Sequence, residues 1–309
     1  MVPQLLLLTC GRWESLQAAL RSVQQQGIRC GRMVLTSDGG PVPERLREMA
    51  AACADRLVLP ETARPRAGQW ANTAAGLAAL ESPEPFCLMH DDDELGPGYL
   101  EHAAALARQN HGEWVEANNW MVFDDRKDRG PVFPDLTRTL VLDNRAEVLR
   151  RYATSFVPFP GALFHCPAEK VRQALRPEFR EMADAVLFCE LARTVPIRIE
   201  ARSFYRYRRH AGQVSHAMDH PMEDKLQAYL LKESAGTAYA AEIRRELEIR
   251  RAGRFFQEVW RTGTFRGHAF RKDFSWKRIF RAVRNRKWLA VKILVSDLRR
   301  TAASSAGHP

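Results

Sequence analysis

From residue 4 to residue 89 the chain alternates between short apolar runs and longer segments whose apolar residues recur at helical spacing. Short apolar runs bounded by turn residues are typical of buried strands, whereas helical spacing is typical of amphipathic helices. The predicted strands are 4–9, 32–36, 56–59 and 86–89, and the predicted helices are 14–26, 43–53 and 69–80. Strands that alternate with helices in this way predict an α/β fold, with a mostly parallel sheet and helices on both faces.

The second half of the chain has a less regular pattern. We predict strands at 114–123 and 197–207 and helices at 147–152 and 182–193. Residues 156–164 are predicted to form an aromatic loop that leads into a further strand. No segment of the sequence repeats another, which excludes a repeat architecture.

An acidic cluster follows the fourth predicted strand, where His90 precedes Asp91, Asp92, Asp93 and Glu94. Adjacent carboxylates repel one another, so four of them at a strand end favour a bound cation. Mg²⁺ and Mn²⁺ are the ions that such oxygen ligands suit best. The alternative is a solvated acidic turn that binds nothing.

Polar residues also follow the first two predicted strands, at 9–12 and 37–39. Ligands of open parallel sheets bind at the carboxyl ends of the strands, where these segments and the acidic cluster are expected to meet. Three polar strand ends at one edge therefore predict a ligand site more strongly than any one of them alone.

Charge is distributed unevenly along the 309 residues, which carry a formal net charge of +10. Residues 244–300 contain 18 Lys/Arg and 5 Asp/Glu, so all of the positive excess lies in this tail. The imbalance predicts a near-neutral body at 1–220 and a basic α-helical region at 221–309.

The basic tail also contains many aromatic residues, among them Phe255, Trp260 and Trp288. Basic and aromatic helices of this kind suit an anionic membrane surface, which is the partner we predict. A helical cap on the core and a homodimer contact are the alternatives. We expect no nucleic-acid binding, because the acidic cluster and the near-neutral body oppose it.

The six cysteines form no CxxC pair, and several lie in apolar runs, which predicts buried free thiols in a reducing compartment. The N-terminal apolar run lacks a basic leader and is too short for a signal peptide, and no segment is long enough to span a membrane. We therefore expect a cytoplasmic protein, with peripheral attachment to the inner face of the cell membrane as the membrane-bound alternative.

Six segments, taken in order, resemble motifs of the family 2 glycosyltransferases, which have a GT-A fold. The first strand with Thr9 to Arg12 is similar to the family's opening strand and T-x-N-R turn, and 37–40 is similar to its D-D-G-S segment. Residues 68–72 and 88–97 stand where the family has G-x-x-x-A-R-N and D-x-D. Further along, Ala183 and Asp184 resemble its E-D pair, and 207–215 resembles the closing Y-R-x-H-x-x-x-x-S segment.

The sequence departs from this pattern at Gly11, Ser37 and His90. Alignment on the downstream Pro97 places His90 at the first acid of D-x-D, whereas alignment on the acids alone begins the motif at Asp91. Asp92 lies inside the motif in both registers. The Q-x-x-R-W segment of processive synthases is absent, so the resemblance implies transfer of single sugars.

The resemblance implies a nucleotide-sugar donor, with UDP favoured, and an Mn²⁺ or Mg²⁺ ion that assists departure of the diphosphate. The residues expected at the donor are Thr9, Arg12, Asp38, Asn72, Asp91 and Arg209. Those expected at the metal are Asp92, Asp93 and His210. For Asp38 the alternative is a turn residue, and for His210 it is a structural role in the arginine-rich turn.

Inversion at the anomeric carbon requires a base that removes the acceptor's hydroxyl proton, and the resemblance implies Asp184. Glu181 is the second choice and Glu190 the third, while a first-turn helix acid is the structural alternative for Asp184. The acceptor is expected to be a saccharide or a lipid-linked molecule, against which the loop 156–164 would form an aromatic wall. The implied role is synthesis of a cell-surface polysaccharide or glycoconjugate.

Two other classes of protein remain open. A sugar-phosphate nucleotidyltransferase also combines an α/β sheet with acids, but it would need a glycine-rich basic phosphate loop that 9–12 does not provide. A catalytically inactive relative that serves as a membrane or partner adaptor would explain the departures from the family motifs.

Overall fold

The computed structural model describes residues 2–60, 67–81, 83–109, 112–124, 127–210 and 220–262. The strands are β1 (Gln4–Thr9), β2 (Cys30–Ser37), β3 (Ala54–Val58), β4 (Phe86–His90), β5 (Glu94–Leu95), β6 (Trp114–Asn118), β7 (Met121–Phe123), β8 (Asp128–Pro131), β9 (Leu140–Leu142), β10 (Leu163–His165), β11 (Ile197–Glu200) and β12 (Tyr205–Arg208). The α-helices are α1 (Trp13–Gln24), α2 (Glu44–Cys53), α3 (Gln69–Ala78), α4 (Tyr99–Ala107), α5 (Arg145–Thr154), α6 (Ala168–Ala174), α7 (Ala183–Leu191), α8 (His220–Glu233) and α9 (Ala240–Thr262). A 3-10 helix at Pro177–Met182 precedes α7.

The large sheet has the strand order β3-β2-β1-β4-β10-β6-β11-β9. Strands β3, β2, β1 and β4 are parallel neighbours, and β6 pairs in parallel with β11. Only β10 and β9 oppose their neighbours within this sheet of the described chain. The predicted mostly parallel α/β sheet is confirmed.

Both faces of the sheet are buried, which explains why β1 is apolar at nearly every position. Leu5 and Leu7 belong to a core that also contains Leu16 and Leu20 of α1. Leu6, which points to the other face, lies against α3 so closely that a Cβ added to Gly76 would be 2.4 Å from its Cδ1. Helices therefore cover the two faces, as the sequence predicted.

Two of the predicted strands are each divided into two shorter strands. At each division an asparagine side chain, and not a neighbouring strand, bonds the backbone. The strand predicted at 114–123 becomes β6 and β7, since the Asn119 side chain bonds the backbone of Phe133 and Ala201. The strand predicted at 197–207 becomes β11 and β12, since the Asn118 amide oxygen accepts from the Phe204 N–H. Strands β7 and β12, with β5 and β8, form a second sheet in the order β5-β12-β7-β8.

The chain forms two compact units, one from Met1 to Tyr229 and one from Leu230 onward. The described part of the second unit is helical and includes α9. The boundary that we predict at 220/221 stays a prediction, and the tail aromatics from Phe255 onward lie outside the described side chains. Among the described residues, no helix is both long and apolar enough to cross a membrane.

Candidate functional site

The site lies at the carboxyl ends of β1, β2 and β4. In the register of the sheet Thr9 pairs with Ser37, and Leu8 pairs with His90. Strands β2 and β3 follow β1 on one side of it, whereas β4 lies on the other side, so the direction of strand order reverses at β1. Such a reversal of strand order opens a crevice that binds ligands in α/β sheets.

Asp91 is a buried anchor of this edge, with 1% of its surface exposed. Its Oδ2 accepts hydrogen bonds from the Thr9 hydroxyl at 2.6 Å and the Cys10 N–H at 3.2 Å. Its Oδ1 accepts from Nη2 of Arg12, also at 2.6 Å. Both oxygens are therefore engaged with the turn after β1.

Arg12 joins the two strand ends, because its guanidinium bridges the carboxylates of Asp91 and Asp92. Nη1 of Arg12 lies 2.8 Å from Oδ2 of Asp92, and Nε2 of His210 lies 3.0 Å from the same oxygen. Burial raises the pKa of Asp92, but His90, Arg12 and His210 outweigh it and hold this pKa below its usual value. Asp92 is thus an ionised acid surrounded by donors and cations.

Asp93 is buried to the same degree as Asp91 and is held by the second sheet. Its Oδ2 accepts from the Tyr205 hydroxyl at 2.9 Å, and its Oδ1 accepts from the Arg208 N–H at 2.9 Å. Burial first, and then the charge of Asp92, raise the pKa of Asp93 well above its usual value. A nearby cation would lower the free energy of its ionised form.

The residues around Asp92 fit a divalent cation. His90, Asp92 and Asp93 each offer a ligand atom, and these atoms lie within 4.8 Å of one another. Nε2 of His90 is buried and has no hydrogen-bond partner among the described residues. We refer to Thr9, Arg12, His90, Asp91, Asp92, Asp93 and His210 together as the strand-end cluster.

The predicted donor residues divide into buried supports and surface groups. Thr9 and Asn72 are 2% and 5% exposed, and the Asn72 amide donates to the Thr9 carbonyl at 3.1 Å. Asp38 is partly exposed, and its Oδ2 accepts from the Gly68 N–H at 3.1 Å. Thr9, Asn72 and Asp91 are therefore buried supports of the site, whereas Arg12 and Asp38 are partly exposed.

Arg209 does not contact the acids of the site, whereas its neighbour Arg208 does. Its side chain is exposed, and its backbone N–H donates to the Phe123 carbonyl at 2.7 Å. Arg208 instead contacts the acids, because its guanidinium donates to the Asp92 carbonyl and to Glu94. Consecutive residues of a strand point to opposite faces, so the sequence alone could not decide which arginine faces the cluster.

The departure at Gly11 has a structural reason. The turns after β1 and β2 touch backbone to backbone, and a Cβ added to Gly39 would lie 2.3 Å from the Cα of Gly11. Gly11 also has a φ of +90°, which side chains rarely adopt. Glycines at both positions allow the close approach of the two strand ends.

The predicted base lies in a second region, residues 180–184, which we call the helix-start segment. Burial raises the pKa of Asp184 to about 6, against the lowering effect of the Ala185 N–H that donates to its Oδ1. Glu181 pairs with Arg180 at 3.0 Å through Oε1, whereas its Oε2 is buried with no hydrogen-bond partner in the described structure. The start of α7 therefore carries one acid with a raised pKa, and the turn before it carries a second acid with one unpartnered oxygen.

Glu190, the third candidate base, has a different environment. It pairs with Arg145 at 2.8 Å and also contacts Arg176, Arg193 and Tyr229. Burial raises its pKa, but these partners outweigh burial and hold the pKa below its usual value. This network fits a structural role for Glu190.

Phe159 connects the two regions. Its ring lies 6.1 Å from that of His90 and 6.0 Å from that of Phe188, centroid to centroid. Phe188 is one turn after Asp184 and so shares its face of α7. The face of α7 that carries Asp184 is therefore turned toward the end of β4.

The backbone of the helix-start segment is strained at Arg180, whose φ is +45° and ψ −118°. The carbonyl of Arg180 accepts a hydrogen bond from Nε1 of Trp70 at 2.6 Å. Non-glycine residues in this region cost free energy and cluster at functional sites. Helix α3, which carries Trp70 and Asn72, thus contacts both Arg180 and Thr9.

The predicted aromatic wall at 156–164 is only partly at the surface. Phe159 and Phe164 are buried in the core. Phe156 is partly exposed and packs with Phe133 and Trp120, at ring distances of 5.1 and 5.7 Å. An acceptor surface, if formed by this loop, would therefore include Phe156 and not the other two.

Comparison with known proteins gives structural matches only. No protein-family model matches the chain, and no curated protein sequence does so. S. aureus TarS 1–349 in complex with UDP-GlcNAc matches with a TM-score of 0.56 and 15% identity, over 80% of this chain and 70% of that chain. The same protein in complex with UDP matches with a TM-score of 0.55 and 13% identity, over 89% and 76%. A longer TarS structure matches over 80% of this chain and 42% of its own, with a TM-score of 0.55 and 13% identity.

TarS is a GT-A glycosyltransferase, and the likeness at these identities shows a shared fold. This chain therefore has the GT-A glycosyltransferase fold, as the sequence motifs predicted. Membership of family 2 itself stays a prediction from those motifs.

Proposed function

We propose that this protein is a glycosyltransferase that moves a single sugar from a nucleotide-sugar donor to an acceptor hydroxyl with inversion. The observation that carries the proposal is the strand-end cluster, in which Arg12 and three carboxylates meet at the crevice of a GT-A sheet. UDP is the favoured nucleotide, since the structures of TarS that share this fold hold UDP and UDP-GlcNAc.

On the donor side, the chain must bind a nucleoside and neutralise a leaving diphosphate. Asp38 would accept hydrogen bonds from uracil or ribose. The Arg12 side chain, 36% exposed, can turn part of its guanidinium to phosphate oxygens while Asp91 holds the rest. A divalent ion such as Mn²⁺ or Mg²⁺, held by Asp92 and Asp93 with His210 beside them, would supply Lewis-acid stabilisation of the leaving diphosphate.

On the acceptor side, Asp184 would take the proton of the attacking hydroxyl. A pKa of about 6 leaves it ionised at neutral pH and makes it a stronger base than an exposed aspartate. Glu181 is the second candidate, because its buried Oε2 has no partner among the described residues. The orientation of α7 toward Phe159 supports the choice of Asp184.

The acceptor and the cellular site are proposals of a coarser kind. We propose a saccharide or lipid-linked acceptor at the cytoplasmic face of a membrane, in cell-surface polysaccharide or glycoconjugate synthesis, with the basic residues of 244–300 on anionic lipid. Co-sedimentation with anionic liposomes at low salt tests the attachment. Sedimentation equal to that with neutral liposomes would contradict it.

Cys10 offers a direct test of donor binding, because it is exposed while the other five cysteines are buried. Its thiol lies beside the Arg12 guanidinium, so a diphosphate at Arg12 would cover the thiol. We expect UDP with Mn²⁺ to slow maleimide labelling of Cys10, whereas Mn²⁺ alone or uridine should not. Equal labelling rates with and without saturating UDP would contradict a donor site here.

A catalytically inactive adaptor with this fold is the second candidate, and the substitutions Ser37 and His90 favour it. The two candidates differ in what they bind: a transferase should bind UDP and Mn²⁺ together and release UDP from a sugar donor. An adaptor should do neither.

A further inference from the structure

His90 is the last residue of β4 and the first member of the group that could hold a cation. One of its ring nitrogens lies within 4.8 Å of carboxylate oxygens of Asp92 and Asp93. In the D-x-D register aligned on Pro97 this position would carry an oxygen ligand. This group therefore combines the imidazole of His90 with the carboxylates of Asp92 and Asp93.

Within the described part of the chain, the imidazole of His90 is held by packing, and its Nε2 has no hydrogen-bond partner. Its ring lies edge-on to Phe159 at 6.1 Å, and its backbone N–H donates to the Tyr205 hydroxyl at 3.3 Å. Nε2 is buried without a partner among the described residues, which costs free energy unless a ligand satisfies it.

We propose that His90 is a nitrogen ligand of the metal and that it makes the site selective for Mn²⁺ over Mg²⁺. This inference rests on the proposed transferase function and names the residue that determines its metal preference. Mg²⁺ needs near-octahedral oxygen ligands and retains several waters. Mn²⁺ belongs to the first-row divalent ions, which also bind sites of mixed nitrogen and oxygen ligands.

The charge balance of the strand-end cluster supports the same preference. A histidine in place of an acid removes one negative charge, and Arg12 already neutralises part of the charge on Asp91 and Asp92. Mg²⁺ binding depends chiefly on carboxylate charge, so this loss weakens it more than it weakens an ion that gains a nitrogen ligand.

A second group with similar spacing, His102, Glu116 and Glu200, serves as an internal control. Arg202 already supplies its positive charge, since Nε lies 3.0 Å from Glu200 and Nη2 lies 3.1 Å from Nδ1 of His102. The ring of His102 thus has both of its nitrogens engaged, because Nε2 lies 2.7 Å from Glu116. We expect no metal at this group.

The test measures Mn²⁺ binding to the full-length protein by EPR, without donor or turnover. Affinities for Mn²⁺, and for Mg²⁺ by competition, are compared between the wild type, His90→Asp and the control His102→Gln. We expect His90→Asp to lower the ratio of Mn²⁺ to Mg²⁺ affinity at least about tenfold, and His102→Gln to leave it unchanged. An unchanged ratio in His90→Asp would overturn the proposal.

The source of the nitrogen is identified by electron spin echo modulation of bound Mn²⁺. His210→Gln removes the other histidine near Asp92, so nitrogen coupling that persists in this variant and disappears on adding His90→Asp assigns the ligand. Absence of nitrogen coupling in the His210→Gln variant would overturn the proposal that His90 binds the metal. Protection of Cys10 by UDP, measured on the same samples, tests the transferase proposal separately. If Mn²⁺ binds through oxygen ligands only and UDP still protects Cys10, the role of His90 as a metal ligand is refuted and the transferase proposal is not.

Discussion

The strand-end cluster and the helix-start segment both contain buried acids, but the two regions surround those acids with different numbers of hydrogen-bond donors and cations. In the cluster, Asp91, Asp92 and Asp93 accept hydrogen bonds from fixed donors, and Arg12 supplies positive charge. In the helix-start segment, burial raises the pKa of Asp184, and one oxygen of Glu181 has no described partner.

This difference matches the two tasks that the proposed inverting transfer requires. The donor side needs preorganised charge at a fixed place, which strand ends and paired acids provide. The acceptor side needs one acid that can gain a proton near neutral pH, which burial provides. Disrupting each region should therefore produce distinct losses.

The largest loss that we expect from the donor side is that of Asp92→Asn. The amide keeps the size of the side chain but removes the charge that Arg12 and His210 share. Turnover of a UDP-sugar at saturating Mn²⁺ should fall roughly hundred- to thousandfold, together with Mn²⁺ affinity. The matched control is Asp55→Asn, which changes an exposed acid. Equal turnover and Mn²⁺ affinity in the two variants would show that the strand-end cluster has no part in catalysis.

Arg12→Lys should have a smaller effect, confined to donor binding. Lysine keeps the charge but cannot bridge Asp91 and Asp92 while reaching a phosphate. We expect UDP affinity, measured by calorimetry, to fall about tenfold, with a weaker dependence on salt. Arg21→Lys on the exposed side of α1 is the control, and unaltered UDP affinity in Arg12→Lys would place the diphosphate elsewhere.

Trp70→Phe tests the helix-start segment without touching an acid. The change removes the hydrogen bond that holds the strained Arg180 carbonyl. We expect kcat to fall about tenfold while UDP affinity stays the same, because Asp184 and Glu181 lose their fixed position. Trp114→Phe is the control, since Nε1 of the buried Trp114 has no hydrogen-bond partner among the described residues. A fall in UDP affinity with unchanged kcat would contradict this division.

The pH profile should show the smallest and most specific effect. Only ionised Asp184 can accept a proton, and the carboxyl is protonated below its pKa of about 6. Turnover should therefore rise with pH through 6, and at pH 5 it should be about tenfold below the plateau. A profile that is flat between pH 5 and 7.5 would exclude Asp184 as the base.

The fold and the strand-end cluster were predictable because their signals are local. An apolar run that ends in Asp91, Asp92 and Asp93 specifies a strand and its carboxyl end within a few residues. The division of two predicted strands was not predictable, because it depends on Asn118 and Asn119 bonding backbone that is distant in sequence.

The helix-start segment depends on distant partners in the same way. The kink at Arg180 is held by Trp70, which is 110 residues earlier in the chain. The burial of Thr9 and Asn72, and the contact of Arg208 with the Asp92 carbonyl, likewise follow from packing between elements. The sequence does show that a histidine, His90, stands at an acid position of the motif. Only the structure shows that its Nε2 has no partner among the described residues, which is the basis for proposing a role in metal binding.

If the two regions form one transfer site, the protein should release UDP from a UDP-sugar, and a panel of UDP-sugars with Mn²⁺ measures this release. We predict that the wild type turns over at least one donor, and that Asp184→Asn binds the same donor with unchanged affinity but releases UDP roughly a thousandfold more slowly. Full turnover by Asp184→Asn, or no release from any donor by the wild type, would contradict the account.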